Sequence, residues 1–221
     1  MLVSLVALLA CVSANATETN AVNEVEVAYT RTIAQRVDKI VAPLGITDTN
    51  KFIHVRDIIT QQYRNLSRIH DIRDAQIRTA KEKAGADKAA ANIAIEAARA
   101  EAKPKLDKLH GEFLTRLSAE LSVQQVDKVK DGMTYGVLPL TYGVYLRMYP
   151  ELTDEQKAQI KTWLIEAREL AMDGSTSDEK HAVFGKYKGK INNYLSQAGY
   201  DAKKAEQNLK KPAAPPPPKA N

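Results

Sequence analysis

Apolar residues recur at intervals of three and four along most of this chain, and this spacing restricts the fold more than any other feature. The clearest stripe follows Thr153 and consists of Ile160, Trp163, Leu164, Ala167, Leu170 and Ala171. No segment alternates apolar and polar residues over the length of a strand. The sequence therefore predicts an all-α fold with about seven helices.

Two long helices are predicted in the first half of the chain. Thr47-Asp48 caps the first helix, Gly85 marks the turn, and Pro104 is expected to begin or kink the return helix. Residues 80–105 are rich in Ala, Lys and Glu, so they favour helix but have little apolar surface to bury. We therefore expect a long helical hairpin, about residues 48–120, whose tip projects into solvent and whose base packs on a compact C-terminal helical bundle.

Three capping boxes mark the starts of helices in the predicted bundle. They are Ser122-x-x-Gln125, Thr153-x-x-Gln156 and Thr176-x-x-Glu179. In each box we expect the hydroxyl to accept from a free backbone N–H and the fourth side chain to reach back. Residues 22–209 are predicted to form a single helical domain.

The first sixteen residues have the pattern of a secretory signal peptide. Met1 to Ala14 is apolar and uncharged, is too short to span a bilayer, and runs into the cleavage pattern Ala14-Asn15-Ala16. Cleavage after Ala16 would export the protein to the periplasm or the extracellular space. The alternative is that Cys11, in a sequence loosely like a bacterial lipobox, carries a lipid anchor.

The C-terminal end of the chain and the overall charge lead to further expectations about the protein. Residues 210–221 contain four consecutive prolines, Pro215 to Pro218, and are predicted to form a disordered Pro-rich tail. The net charge of +5 is too small to predict a nucleic-acid partner. No transmembrane span is predicted, and the sequence leaves the oligomeric state open.

The sequence contains no pattern that identifies an active site. The four histidines lack metal-site spacing, and no nucleophile or phosphate-binding motif is present. His70 and Asp74 lie four residues apart on a predicted helix, and we interpret them as an exposed hydrogen-bonded pair rather than metal ligands. The sequence therefore predicts no catalytic residue, metal or cofactor, and an unrecognised polysaccharide-active site is the least favoured alternative.

The most unusual segment, residues 180–200, contains no acidic residue and combines lysines with aromatic side chains and asparagines. Seven of the nine tyrosines and the only tryptophan fall between Tyr135 and Tyr200. Aromatic rings stack on sugar rings, and Asn, Lys and His hydrogen-bond to hydroxyls, so this segment indicates carbohydrate binding. The candidate residues, in a groove between the last helices and the 132–143 link, are Tyr135, Tyr142, His181, Lys186, Tyr187, Asn192 and Asn193. The alternative for Tyr187, which also lies on the apolar stripe, is a place in the core.

Four longer segments resemble the bacterial domain-of-unknown-function family 3826. They are residues 55–77, 126–142, 152–173 and 179–201, and the similarity extends from about Val27 to Lys210. The resemblance implies an exported protein with a sugar as ligand. No active site is established for this family, so the resemblance assigns no catalytic residue to this chain.

These observations lead to two expected functions of different classes. The first is an exported, non-catalytic, carbohydrate-binding protein associated with glycan utilisation. The second is a periplasmic chaperone-like or protein-interaction module that uses the basic hairpin around residues 77–105. Three helix openings, Ile46-Thr47, Leu121-Ser122 and Leu152-Thr153, support the second, because they resemble the repeated motif of small periplasmic helical chaperones. The alternative is that they are ordinary starts of capped amphipathic helices.

Overall fold

The computed structural model describes residue 24 and residues 26–210, and these residues form helices without any strand. Helix α1 covers residues 26–41 and leads into a short 3-10 turn, Ala42–Leu44. The other helices are α2 (Thr49–Ala84), α3 (Lys88–Glu120), α4 (Val123–Met133), α5 (Val137–Met148), α6 (Asp154–Met172), α7 (Ser177–Gln197) and α8 (Ala202–Leu209). The predicted all-α class is confirmed, with the short α8 as the helix that the apolar spacing did not predict. The predicted signal peptide, residues 1–16, and residues 211–221 of the predicted tail lie outside the described residues.

The predicted capping boxes at the starts of α4 and α6 are confirmed. Ser122 Oγ accepts from the backbone N–H of Gln125, while Gln125 Oε1 accepts from the backbone N–H of Ser122. Thr153 and Gln156 exchange the same two hydrogen bonds. Each box satisfies two backbone donors that the first helical turn would otherwise leave unpaired.

The cap of α7 forms only half of the expected box. The Thr176 hydroxyl accepts from the backbone N–H of Glu179 at 3.1 Å, as predicted. The Glu179 carboxylate instead accepts from the backbone N–H of Ser175 and from the guanidinium of Arg73 on α2. The ion pair between Glu179 and Arg73 has therefore replaced the side-chain half of the capping box.

Helices α2 and α3 are the two arms of the predicted hairpin, with Gly85 in the left-handed conformation at the turn (φ 54°). Asp87 caps α3 by accepting from the backbone N–H groups of Ala89 and Ala90. Pro104 lies inside α3, so of the two alternatives expected for it, a start or a kink of the return helix, the start is wrong. The capped, alanine-rich segment that precedes Pro104 has enough helix propensity to extend the helix to Lys88.

The chain divides into two compact units between Tyr63 and Arg64, within α2. The first unit buries apolar residues of α1 and of the start of α2, including Val37, Val55 and Ile59. An ion pair between Arg56 and Asp38, 2.7 Å apart, joins the two helices at the surface.

The second unit contains the remainder of the hairpin and the helices α4 to α8. Its core is a cluster of buried apolar side chains in which Ile160 and Leu164 of α6 meet Phe184 and Ile191 of α7. Leu170, predicted to share this stripe, is instead 56% exposed. No helix within the described residues is both long and apolar enough to cross a membrane.

Candidate functional site

The junction between α4 and α5 carries an unusual backbone. Tyr135 and Gly136 both adopt the left-handed conformation, with φ values of 58° and 66°. Glycine adopts this conformation freely, whereas a tyrosine there stores about 1–2 kcal/mol of strain. Tyr135 is the one non-glycine residue with positive φ among the described residues. The surrounding structure must therefore hold it in place.

The start of α7 provides that support. Tyr135 is 45% exposed, and its ring stacks on the His181 imidazole, with centroids 5.9 Å apart and planes 16° apart. The neighbouring Lys180 is buried, and its ammonium donates to the carbonyl oxygens of Met133 and Met172, each at 3.2 Å. Lys180 thereby fixes the first turn of α7 against the end of α4. We call Tyr135 and His181 the aromatic platform.

The other five candidate residues are distributed around α7 and α5. Tyr142 is half-buried against the bundle core, Asn192 accepts a 2.7 Å hydrogen bond from the hydroxyl of Tyr145, and Asn193 is exposed. Burial raises the pKa of Tyr145 to about 12, so its hydroxyl stays protonated as that donor.

Tyr187 belongs to a different surface of α7. The Lys190 ammonium lies 5.6 Å from the Tyr187 ring and 4.5 Å from the ring of Trp163 on α6, a cation–π arrangement. Tyr194 packs edge-on against the same Trp163 ring. Of the seven candidates, the structure thus brings Tyr135 and His181 into contact and directs Tyr187 towards α6.

Lys186, the seventh candidate, lines a cavity of about 530 Å³ between α2, α3, α6 and α7, which we call the four-helix cavity. Its apolar lining consists of Ala102, Leu106, Leu170, Ala182 and Val183. Its polar and charged lining consists of His70, Arg73, Arg99, Lys103, Asp107, Asp173, Glu179 and Lys186. The sequence analysis missed most of these residues because they come from four separate segments of the chain.

His70 is buried at the wall of this cavity, so the prediction of an exposed His70–Asp74 pair is wrong. Its Nε2 lies 2.6 Å from the backbone oxygen of Asp173, 103 residues further along the chain. Asp74 instead accepts from Arg73 Nε at 2.7 Å. A spacing of four residues on a helix allows His70 and Asp74 to contact each other. His70 instead contacts the backbone oxygen of Asp173, which is distant in the sequence.

A network of charges connects α3, α4 and α6 behind the cavity. His110 Nδ1 lies 3.0 Å from the Asp173 carboxylate and its Nε2 lies 3.5 Å from Glu169. Hydrogen bonds to Asp173 and Glu169 outweigh the effect of burial and raise the pKa of His110 to about 9. His110 is therefore a cation at neutral pH, and it neutralises the acidic side chain at the cavity wall.

The same network continues to a buried arginine. Arg168 is 5% exposed, and its guanidinium donates to Asp127 at 2.6 Å and Asp131 at 2.9 Å on α4. Burial opposes ionisation of Glu169, but hydrogen bonds from His110 and Lys130 outweigh it and lower its pKa to about 2. Within the part of the chain that the structure describes, no group of three or more His, Cys, Asp or Glu side chains is arranged to hold a metal ion.

The fold and these sites define an all-α protein whose second unit presents an exposed aromatic platform and a cavity of small-ligand size. The chain belongs to the family of proteins of unknown function DUF3826, whose family model matches residues 30–213. The family resemblance drawn from the sequence is confirmed. No curated protein is similar enough to the chain to count as a match.

Proposed function

We propose that this protein is an exported, non-catalytic, carbohydrate-binding protein associated with glycan utilisation, and that it holds a sugar ring on the aromatic platform. Export rests on the signal-peptide pattern of residues 1–16. The observation that carries the binding proposal is the exposed, conformationally strained Tyr135 stacked on His181.

The chemistry of the platform suits a sugar. A pyranose presents apolar C–H groups on one face and hydroxyls around its edge, so an exposed aromatic ring can cover the face. The His181 imidazole supports the tyrosine ring and adds nitrogen atoms that can hydrogen-bond to a hydroxyl. Backbone strain of this kind is concentrated at binding and catalytic sites, where holding a side chain in position matters more than stability.

Replacing Tyr135 with glycine should separate binding from stability. Glycine relieves the strain of the left-handed conformation, so we expect an unfolding free energy within about 1 kcal/mol of the wild type. Removal of the ring should weaken oligosaccharide binding by about tenfold or more. Calorimetric titration with neutral and acidic oligosaccharides measures the binding, and thermal unfolding measures the stability.

Tyr187→Ala is the matched control, because it removes a tyrosine ring from the α6-facing side of α7. It should leave oligosaccharide affinity unchanged. Failure of the folded wild type to bind any oligosaccharide, or equal affinity of Tyr135→Gly and the wild type, would contradict the proposal.

A second candidate function has one observation in its favour, a groove at the tip of the hairpin. The groove, of about 660 Å³, lies between α2 and α3 and is lined mainly by alanines, among them Ala80, Ala84 and Ala94. Ile93, one residue before Ala94, is 74% exposed. An exposed apolar tip of this kind is the feature that a chaperone-like or interaction module would use.

Ile93→Glu tests this second function without removing the hairpin. If the tip binds apolar segments of other proteins, the substitution should abolish suppression of aggregation of a thermally unfolded client protein, measured by light scattering. Val123→Glu, at a residue that is 76% exposed on α4, should have no effect. A wild-type protein that does not suppress aggregation would rule this function out.

A further inference from the structure

The four-helix cavity has the size and the lining of a small-molecule site. Its volume of about 530 Å³ falls within the range of small-ligand sites, and it combines apolar walls with a few polar groups. Leu170 lines it while remaining 56% exposed, so apolar surface is available to a ligand. Its charges indicate which class of ligand would fit.

The three carboxylates that line the cavity already have partners within the protein. Asp107 accepts from Lys103 at 2.6 Å, and Glu179 accepts from Arg73 at 2.9 Å. The carboxylate of Asp173 lies 3.0 Å from His110 Nδ1. A cationic ligand would therefore have to compete with an existing pair.

Lys186 differs from the other cations of the lining. Arg73 and Lys103 pair with carboxylates of the cavity, and Arg99 pairs with Glu96 at 2.6 Å. Lys186, which also lines the cavity, has no ion-pair partner among the described residues. The unneutralised group of this cavity is thus an ammonium, which favours an anionic ligand.

His70 adds a second unsatisfied polar group. Its Nε2 must carry the hydrogen, because the carbonyl oxygen of Asp173 at 2.6 Å can only accept. In neutral His70 the other nitrogen, Nδ1, is therefore an acceptor, and this atom is buried without a hydrogen-bond partner among the described residues. A ligand hydroxyl is a donor that matches it.

We propose that the four-helix cavity binds a small hydroxylated carboxylate, with its carboxylate on Lys186, its apolar face on Leu170 and Val183, and a hydroxyl donating to Nδ1 of His70. A sugar acid has all three features. The site is separate from the aromatic platform, since neither Tyr135 nor His181 lines the cavity.

The test is a calorimetric titration of the full chain with D-glucuronate, with D-glucose and with cyclohexanecarboxylate. Glucose lacks the carboxylate and cyclohexanecarboxylate lacks the hydroxyls, so both should bind about tenfold or more weakly than glucuronate. Lys186→Gln should weaken glucuronate binding by about tenfold, and added salt should weaken it in the wild type. Lys188→Gln, at an exposed lysine of α7 outside the lining, should leave the affinity for glucuronate unchanged.

Equal binding of glucose and glucuronate, or equal affinity of Lys186→Gln and the wild type, would overturn the assignment of the carboxylate. Equal binding of cyclohexanecarboxylate and glucuronate would overturn the hydroxyl contact at His70. Tyr135→Gly distinguishes this site from the platform, because it should retain glucuronate binding. Glucuronate binding that depends on Lys186 would therefore stand even if no oligosaccharide bound to the platform.

Discussion

Replacing Arg168 with methionine should lower the free energy of unfolding of the second unit by about 3 kcal/mol. The guanidinium is buried between α4 and α6 and donates to Asp127 and Asp131, which lie one turn apart on α4. Its removal leaves these two carboxylates without their shared cation, whereas Glu169 keeps its contacts with Lys130 and His110. About half of the Asp127 side chain is exposed, so we expect the loss of unfolding free energy to lie at the low end of the range for buried ion pairs.

The loss should come mainly from the charges left behind, because a buried ion pair contributes little net stability when it is replaced as a whole. The Arg168 Nε atom, which is buried without a hydrogen-bond partner among the described residues, already reduces the benefit of the intact pair. Substituting Asn for Asp127 and Asp131 in the Arg168→Met variant should therefore recover more than half of the lost free energy.

Urea unfolding followed by the fluorescence of Trp163, the only tryptophan, measures this effect in the unit that contains Arg168. Arg99→Met is the matched control, because the Arg99–Glu96 pair is largely exposed and should contribute less than about 1 kcal/mol. A triple variant less stable than Arg168→Met would show that the unpaired carboxylates are not the cause.

The network around Arg168 also shows which parts of the structure local sequence patterns can predict. The caps at Ser122 and Thr153 depend on residues three apart, and both formed as the sequence predicted. Arg168 follows directly after the buried Ala167 of the α6 stripe, yet it is buried because two aspartates on α4, 37 and 41 residues earlier, receive it. Spacing within α6 contains no information about those partners.

For the candidate site as well, local sequence patterns did not predict the tertiary contacts. The composition of residues 180–200 drew attention to α7, but a helix distributes its residues around all of its sides. His181 contacts Tyr135, Lys186 lines the four-helix cavity, and Tyr187 faces α6. Sequence proximity could not predict which segments would pack against each side of α7, since those partners come from α2 to α6.

The stability of the second unit should also depend on pH in a direction set by His110. Hydrogen bonds to Asp173 and Glu169 raise the pKa of His110 from 6.5 to about 9 in the folded protein. A raised pKa means that the folded state binds the proton more tightly than the unfolded state does. The resulting stabilisation is complete below pH 6.5 and is lost as the pH rises through about 9.

Glu169 acts at the opposite end of the pH range. Its pKa falls from 4.5 to about 2 on folding, because the hydrogen bonds from His110 and Lys130 outweigh burial. Its stabilisation is therefore present above pH 4.5 and is lost as the pH falls towards about 2. Together the two pKa shifts predict that this network contributes most to the stability of the folded protein between about pH 4.5 and 6.5.

His110→Gln isolates the alkaline limb, because glutamine can still donate to Asp173 but does not titrate. Between pH 6.5 and 9 the wild type should lose about 2–3 kcal/mol that the variant does not lose, since one pKa unit corresponds to about 1.4 kcal/mol. The measurement is urea unfolding by Trp163 fluorescence at intervals across that range. His54→Gln, at an exposed histidine of the first unit, should retain the wild-type slope. Parallel pH profiles for the wild type and His110→Gln would mean that the charge of His110 does not stabilise the contact between α3 and α6.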